Sequence, residues 1–438
     1  MLSDDSAAMR DLARQIFLGT LAEIRIPRAF DAKVEYSRGM LRVVDDLYDL
    51  SSSSRTLVIA MGKAARSMLD SLIAQTGPSL EGIVVSSELP HTQQPGFRYF
   101  RGGHPLPTED SIRAAQAMLK SVSGLGEDAL VIYLISGGAS AMVEVPHDQK
   151  ISLPDLIETY RVLVHSSAPI GEINAVRKHL SGIKGGRLAQ AAYPARQVSI
   201  MVSDVPEAKL DALASGPTMP DSSSVEDCYR IAATHGMLPQ FPESVRDLFE
   251  KHALEETPKP SDAVFAHSRW WPILSSSSAA QAAARLLAPH GFAVEIDNTP
   301  DDWPCKQAAK YLLDRLRALR AGVSRAAIVS AGEITVKVEG AAGAGGRNQH
   351  FALWCARQIA GEQITVMSAG TDGIDGNSPA AGAIADGTTL LRAQQAGLDP
   401  AAALSTFNSF PLFERLGDAI VTGATGNNVR DLRILLAY

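Results

Sequence analysis

Apolar residues in this chain gather in short continuous runs, and each run gives way to a turn and then to a stretch with helical spacing. In the first half the runs are 56–61, 82–86, 129–135 and 197–202. They are unbroken rather than alternating, the pattern of strands covered on both faces. Helical stretches at 64–75, from Asp110 or Ser111 to 119, at about 153–166 and at 172–190 separate them. A leading helix is expected over 6–24, with Ala8, Leu12, Ile16 and Leu21 on one face and Pro27 ending it. Residues 216–262 break the rhythm, carrying Pro217, Pro220, Pro239, Pro242, Pro258 and Pro260, and read as a connection between halves. The rhythm then restarts with strands at 271–274, 293–296, 326–330 and 364–368. Helices are expected at 278–290, 305–321 and 348–359, with a hairpin over 333–339 and a closing segment at 418–436. This βαβα order predicts an α/β protein of two Rossmann-like domains with mainly parallel sheets, residues 1–240 and 241–438, and an active-site cleft between them. No repeat of 20–50 residues is present, so a solenoid is excluded.

Five of the turns are rich in Gly or Ser: Met61-Gly62-Lys63-Ala64-Ala65, Ser136-Gly137-Gly138-Ala139-Ser140, Gly343-Ala344-Gly345-Gly346-Arg347, Ala369-Gly370-Thr371-Asp372-Gly373 and Thr422-Gly423-Ala424-Thr425-Gly426. A glycine turn that opens a helix lets backbone N–H groups approach an anion, most often phosphate. Composition narrows the field. The chain has 438 residues, 45% hydrophobic and 20% charged, with a net charge of −7. Nucleic acid and anionic membrane are therefore not expected partners, and an anion must be gripped locally. Cys228, Cys305 and Cys355 are too scattered for a zinc cluster or a disulfide framework. The N-terminus shows no signal-peptide pattern and no uncharged stretch is long enough to span a bilayer, so a cytoplasmic enzyme is the simplest expectation.

Two cations stand where a helix disfavours them. Lys63 is in the first turn of the 64–75 helix and Arg347 just before the 348–359 helix. A helix start carries roughly half a positive charge, so a cation there suggests an anion bound beside it. The basic patch is Glu172-Ile173-Asn174-Ala175-Val176-Arg177-Lys178-His179-Leu180-Ser181-Gly182-Ile183-Lys184-Gly185-Gly186-Arg187. On a continuous helix Arg177 and Lys184 would share a face, drifting by only about 20°. Asp204 follows a strand end, where doubly wound sheets place their sites. Glu333, Asp372 and Asp375 also follow strands, and each of these carboxylates suits Mg²⁺, a general base, or an Asx turn or helix cap. The chain has no GxxxxGK[ST], no HRD…DFG set, no GxGxxG after its first strand, no GxSxG and no HExxH. P-loop, protein-kinase, serine-hydrolase and zincin chemistry lose their signatures, and nicotinamide binding is weakened.

Met61-Gly62-Lys63-Ala64-Ala65, Gly103-His104-Pro105-Leu106-Pro107, Ile135-Ser136-Gly137-Gly138-Ala139-Ser140-Ala141, Ile173-Asn174-Ala175-Val176-Arg177-Lys178-His179-Leu180-Ser181, Lys184-Gly185-Gly186-Arg187-Leu188-Ala189 and Ala214-Ser215-Gly216-Pro217-Thr218 resemble, in order, the N-terminal domain of the class II glycerate 2-kinases, the MOFRL family. Gly345-Gly346-Arg347-Asn348-Gln349 and Gly370-Thr371-Asp372-Gly373-Ile374-Asp375-Gly376 are similar to its C-terminal domain. The resemblance implies ATP- and Mg²⁺-dependent phosphorylation of D-glycerate at its 2-hydroxyl, with Lys63 and Arg347 matching the family's catalytic Lys and Arg. On this reading Asp204 is a catalytic base or metal ligand and Glu333 a second metal ligand. Gly62, Ser136, Gly137, Gly138, Ser140, Gly346 and Asn348 hold nucleotide phosphates, and Arg177, Lys178, Lys184 and Asp372 hold substrate. The chain departs from the family pattern at Ala139, Ser275-Ser276-Ser277, within Ser203-Asp204-Val205-Pro206-Glu207-Ala208, at Asn377-Ser378-Pro379 and within Ala424-Thr425-Gly426-Asn427-Asn428. A kinase for a related hydroxy acid, an NAD(P)-linked hydroxypyruvate reductase and a sensor without turnover stay open beside the main reading, as does a homodimer.

Overall fold

The computed structural model describes residues 2–338 and 340–438. By packing, the chain forms two units: Ala29–Ile273, and Met1–Arg28 together with Leu274–Tyr438. This division differs from a boundary at residue 240, because the proline-rich stretch is not a linker. Its helices Val225–Thr234 and Glu243–Glu250 bury Cys228, Ile231, Val245 and Phe249 in one cluster with Leu156, Tyr160, Val176 and Leu180. No helix among the described residues is long and apolar enough to cross a membrane.

The unit Ala29–Ile273 begins with three short antiparallel strands, β1 (Val34–Ser37), β2 (Met40–Val43) and β3 (Asp46–Asp49), which the apolar pattern does not announce. Six strands follow: β4 (Thr56–Met61), β5 (Glu81–Ser86), β6 (Phe97–Arg101), β7 (Leu130–Ser136), β8 (Arg196–Val202) and β9 (Ser268–Leu274). Their order is β6-β5-β4-β7-β8-β9, and the pairings among β4, β5, β6, β7 and β8 are parallel. All seven residues of β7 are buried, and each large apolar side chain so buried is worth about 1.5–3 kcal/mol against exposure. The chain winds one way from β4 and the other way from β7. The C-terminal ends of these two neighbours therefore form the topological switch point, where such sheets place their ligands.

The helix expected over 172–190 is two helices, Ile170–Leu180 and Arg187–Ala192. Gly185 and Gly186 hold φ of 57° and 84° between them, so Arg177 and Lys184 do not share a helical face. The cost that paired glycines impose on a helix is here a break.

In the second unit helix Leu2–Glu23 packs on helix Ser276–Leu287 and on the sheet, and Arg10 pairs with Asp386 and Asp418. The sheet comprises β10 (Ala293–Ile296), β11 (Ala326–Ala331), β12 (Ile364–Gly370), β13 (Gly382–Asp386), β14 (Ala419–Ile420) and β15 (Asp431–Ala437), ordered β10-β11-β15-β12-β13-β14. Only β10 and β11 pair in parallel; the other neighbours are antiparallel. The expectation of a second mainly parallel sheet is therefore corrected. Residues 371–381 hold no helix, and a parallel return needs a crossover of a dozen or more residues. The closing strand β15 enters between β11 and β12 instead, running against both. The hairpin expected over 333–339 is not formed by its described residues: Thr335 makes a lone parallel bridge to Pro304, and Glu339 lies outside the described residues.

Candidate active site

In the parallel sheet, β4 runs out into Gly62-Lys63 and its neighbour β7 into Gly137-Gly138. The two turns are tied together: Lys63 N–H donates to Gly137 O at 3.0 Å and Ala64 N–H to Ser136 Oγ at 3.0 Å. An added Cβ on Gly62 would overlap Ser136, and one on Gly137 would overlap the Asp204 carboxylate. These glycines are required by packing between the turns. The amides of Lys63 and Ala64 expected to face phosphate are held internally, Ser136 is 2% exposed, and Ser140 Oγ lies 2.8 Å from Ser215 Oγ. The turn positions two charged groups. Asp204, just beyond β8, sets its carboxylate against Gly137, while the stem of Lys63 passes Gly138 and leaves the residue exposed. His104 stands within electrostatic reach of Lys63; burial first and then that charge hold its imidazole below the usual histidine range.

The basic patch has a different fate. Lys178 is 4% exposed and donates to Asp211 at 2.8 Å and Asp221 at 3.1 Å. Lys184 is 1% exposed, pairs with Glu144 and lies 3.3 Å from the Tyr160 hydroxyl; burial pulls its ammonium down to about 7. Both lysines are buried against the chain's own carboxylates, which corrects their expected role as substrate ligands: breaking such a pair strands a charge. Arg177 stacks 4.6 Å over the Tyr160 ring, and its buried Nε has no hydrogen-bond partner.

In the second unit β15 antiparallel to β11 and β12 brings its first residue, Asp431, to the ends of both: Ala331 pairs with Leu432 and Gly370 with Asp431. Asp431 is 2% exposed and holds Arg347 by a two-point grip, Nε at 2.6 Å and Nη2 at 3.1 Å. Glu333 adds a third contact at 2.8 Å. Burial works to lower the Arg347 pKa, but the hydrogen bond and charge of Asp431, with Glu333, raise it further. Burial and Asp431 push the Glu333 carboxyl up, against the pull of Arg347. Glu333 is thus an ion-pair partner rather than an open metal ligand.

The start of helix Arg347–Gln358 is already capped by an anion. Asp375 accepts from the N–H groups of Asn348 at 3.0 Å and Gln349 at 2.9 Å, and from both side-chain amides. Asn348 is 1% exposed and donates its amides to Asp375, which corrects its expected place on a phosphate. Burial raises the Asp375 carboxyl to about 6 despite these hydrogen bonds. A cavity of about 650 Å³ opens beside the cap, lined among others by Glu333, Gly346, Arg347, His350, Asp372 and Asp375. Asp372 is half-buried there and accepts from Ile374 N–H at 3.1 Å. Asp431 was not singled out from sequence; its signal is an acid between a Gly/Asn turn and an apolar run, legible only once the strand direction is known.

Residues 12–250 match a family model described as a domain of unknown function, DUF4147, and residues 326–431 match the MOFRL family. The chain is 35% identical over 400 residues to the D-glycerate 2-kinase of Thermotoga maritima, covering 90% of this chain and 93% of that one. The chain belongs to the glycerate kinase family. The Glycerate 2-kinase of Pyrococcus horikoshii is 35% identical over 393 residues, covering 87% of each chain. A protein of Agrobacterium vitis named a putative hydroxypyruvate reductase is 37% identical over 417 residues, covering 93% of each. The crystal structure of glycerate kinase from Thermotoga maritima superposes with a TM-score of 0.84 at 32% identity, covering 99% of this chain and 100% of that one. Membership in the glycerate kinase family implies ATP as phosphoryl donor.

Proposed function

We propose that this glycerate kinase homologue transfers the γ-phosphoryl of ATP to the 2-hydroxyl of D-glycerate, giving 2-phosphoglycerate and ADP. The observation that carries this reading is the placement of Asp204 against Gly137 and of Lys63 against Gly138, on one turn at the switch point of the parallel sheet. Phosphoryl transfer asks a protein mainly for positioning and for cations where charge spreads over the transferred group. Lys63 and Arg347 are assigned to that charge. Arg347 reaches its anion as a planar fork held by Asp431, and Lys63 as a mobile point charge. Asp204 is the carboxylate assigned to Mg²⁺, which binds through one or two carboxylates plus phosphate oxygens and supplies charge neutralisation when bound. Arg177, unlike Lys178 and Lys184, has no carboxylate of the described residues within ion-pair distance, and among the three it is the one left for a substrate carboxylate.

ADP release across a panel of small hydroxy acids, with and without Mg²⁺ and beside a nicotinamide absorbance assay, tests the reading. Turnover of D-glycerate with ATP, a ³¹P signal of the 2-phosphate ester and its loss in Lys63→Ala are expected. Nicotinamide oxidation with hydroxypyruvate and no ADP would overturn it in favour of a reductase. Thermal stabilisation by ligand with neither product would point to a sensor.

A further inference from the structure

Asp302, in the wall of the Arg347 cavity, and Arg430, the residue before Asp431, both hold a backbone conformation that a Cβ disfavours, and their side chains are paired. Arg430 has φ of 71° and Asp302 has φ of 62°. This left-handed region is uncommon for residues other than glycine, with asparagine and aspartate the usual exceptions. Arg430 is 3% exposed. Its guanidinium spans two consecutive carboxylates, with Nη1 on Asp301 Oδ2 at 2.5 Å and Nη2 on Asp302 Oδ1 at 3.0 Å. The neighbours enforce its conformation: the Arg430 N–H donates to Asn428 Oδ1 at 3.1 Å, and its carbonyl accepts from the Thr371 N–H at 3.0 Å and hydroxyl at 2.7 Å. Strain of this kind persists only where the surroundings over-determine it, and it clusters at working sites.

What the pair holds is the setting of Arg347. Asp431 grips the Arg347 guanidinium at two points, and Glu333 adds the third contact. The aspartates that Arg430 clasps bracket Glu333 from both sides. Asp301 Oδ1 accepts the Glu333 N–H at 2.9 Å, and the Asp302 N–H donates to the Glu333 carbonyl at 2.7 Å. The Gly332 N–H closes the loop on the Asp431 carbonyl at 3.1 Å. One buried side chain thus ties together the two backbone segments that carry both carboxylate partners of Arg347.

We propose that Arg430 is a positioning residue for the phosphoryl transfer, fixing the orientation of Arg347 by locking Asp431 and Glu333 into one frame. The inference rests on the reading of Arg347 as a cation of that transfer. Arg430 acts through the two carboxylates and not on the substrate. Arginine suits the task because its planar fork meets two carboxylates in a fixed geometry, which the point charge of a lysine does not.

The Arg347 Nε–H resonance in ¹H–¹⁵N spectra of the full chain, identified by its loss in Arg347→Lys, reads this orientation without any turnover. Arg317, whose Nε–H donates to Glu362 at 3.1 Å, supplies a control in the same unit. A sharp Arg347 signal in the wild type that broadens or vanishes in Arg430→Gln, while the Arg317 signal stays, is expected. With it should come a fall of about tenfold or more in kcat with ATP and glycerate, at a KM for glycerate within about threefold of wild type, the split of an interaction made in the transition state. Arg430→Lys, which keeps the buried charge but not the fork, should show the same pattern at reduced size and serves where Arg430→Gln does not fold. An Arg347 signal unchanged in both variants, loss of the Arg347 and Arg317 signals together, or a kcat within about twofold of wild type would each overturn the proposal. The second of these marks a general loosening of the unit. If the wild type turns over no glycerate, the reading of the function fails, and the two resonances still decide whether Arg430 orients Arg347.

Discussion

Asp431→Asn isolates the role of the one buried acid that holds Arg347. The substitution keeps shape and burial but removes the charge and one of two acceptors. An Asn oxygen can receive Arg347 Nε or Nη2 but not both, and its amide turns a donor towards a donor. Each charge-assisted hydrogen bond is worth about 1.5–3 kcal/mol, and Arg347 keeps Glu333 at 2.8 Å. The Arg347 side chain is 37% exposed, so water recovers part of the loss. A destabilisation of about 2 kcal/mol follows, which urea or guanidinium denaturation resolves. Activity should suffer separately. Without its two-point grip the guanidinium loses its orientation, and a fall of about 10–100-fold in kcat/KM, roughly 1.4–2.7 kcal/mol, is expected with ATP and glycerate. Glu333 and Asp375 both owe part of their raised pKa to Asp431, so both should titrate lower in the variant. Unchanged denaturation and kcat/KM within twofold of wild type would refute the claim that Asp431 positions Arg347.

Other expectations bear on the remaining residues. Lys63→Ala should lower kcat by about 10³-fold or more, on the scale of removing a key electrostatic group, with little change in thermal midpoint because the residue is exposed; steady-state kinetics beside thermal unfolding separates the two. Gly137→Ala places a methyl on the Asp204 carboxylate, so it should lower kcat/KM at least as far as Asp204→Asn does while costing about 1–3 kcal/mol of stability; full activity in Gly137→Ala would show that the Asp204 placement does not matter. Asp375 titrates at about 6 in the fold, above an ordinary aspartate. The native state therefore binds its proton more tightly, and the stability this confers at low pH is lost as pH rises through about 6. Asp375→Asn should abolish that slope and cost about 1–2 kcal/mol as a lost helix cap; denaturation midpoints between pH 4 and 7 measure both.

The centre of the parallel sheet was legible because β4, β5, β7 and β8 carry continuous apolar runs separated by helical stretches; β6, Phe97-Arg98-Tyr99-Phe100-Arg101, has no such run and escaped the pattern. The mixed sheet was not, because β15 is as apolar and as buried as a central parallel strand and hydrophobic periodicity carries no information on direction. That ambiguity also hid Asp431, which a parallel strand would have put at the opposite edge. Lys63, Asp204 and Arg347 stand out in the sequence because each follows a strand end or glycine turn. Lys178 and Lys184 misled because a basic residue in sequence shows its charge but not its partner: Asp211, Asp221 and Glu144 lie 33 to 43 positions away along the chain. The helix-start argument for Arg347 pointed to an anion, and the chain itself places carboxylates there. The anions at this helix start are the chain's own Asp375, Asp431 and Glu333.

The glycine turns therefore act through each other before they act on any ligand. In the second unit an added Cβ at Gly376, where φ is 63°, would overlap the carbonyl of Gly345, and one at Gly373 would overlap the carbonyl of Gly423. The turn at 371–376 is thus wedged between the turn that carries Arg347 and the turn at 422–426. Of the departures from the family pattern, Asn377 and Ser378 fall at this junction and serve it. Asn377 donates to Gly343 O at 3.1 Å and accepts from Gly345 N–H at 2.9 Å, clamping the loop ahead of Arg347. Ser378 accepts from Gln349 Nε2 at 2.6 Å and donates to Asp375 O at 2.9 Å, bracing the carboxylate that caps the same helix. Two bonds at Asn377 and two at Ser378 converge on the backbone that aims one guanidinium. Asn377 and Ser378, which look from sequence like altered ligand contacts, also make contacts between turns in the fold, and Asn377 lines the cavity as well.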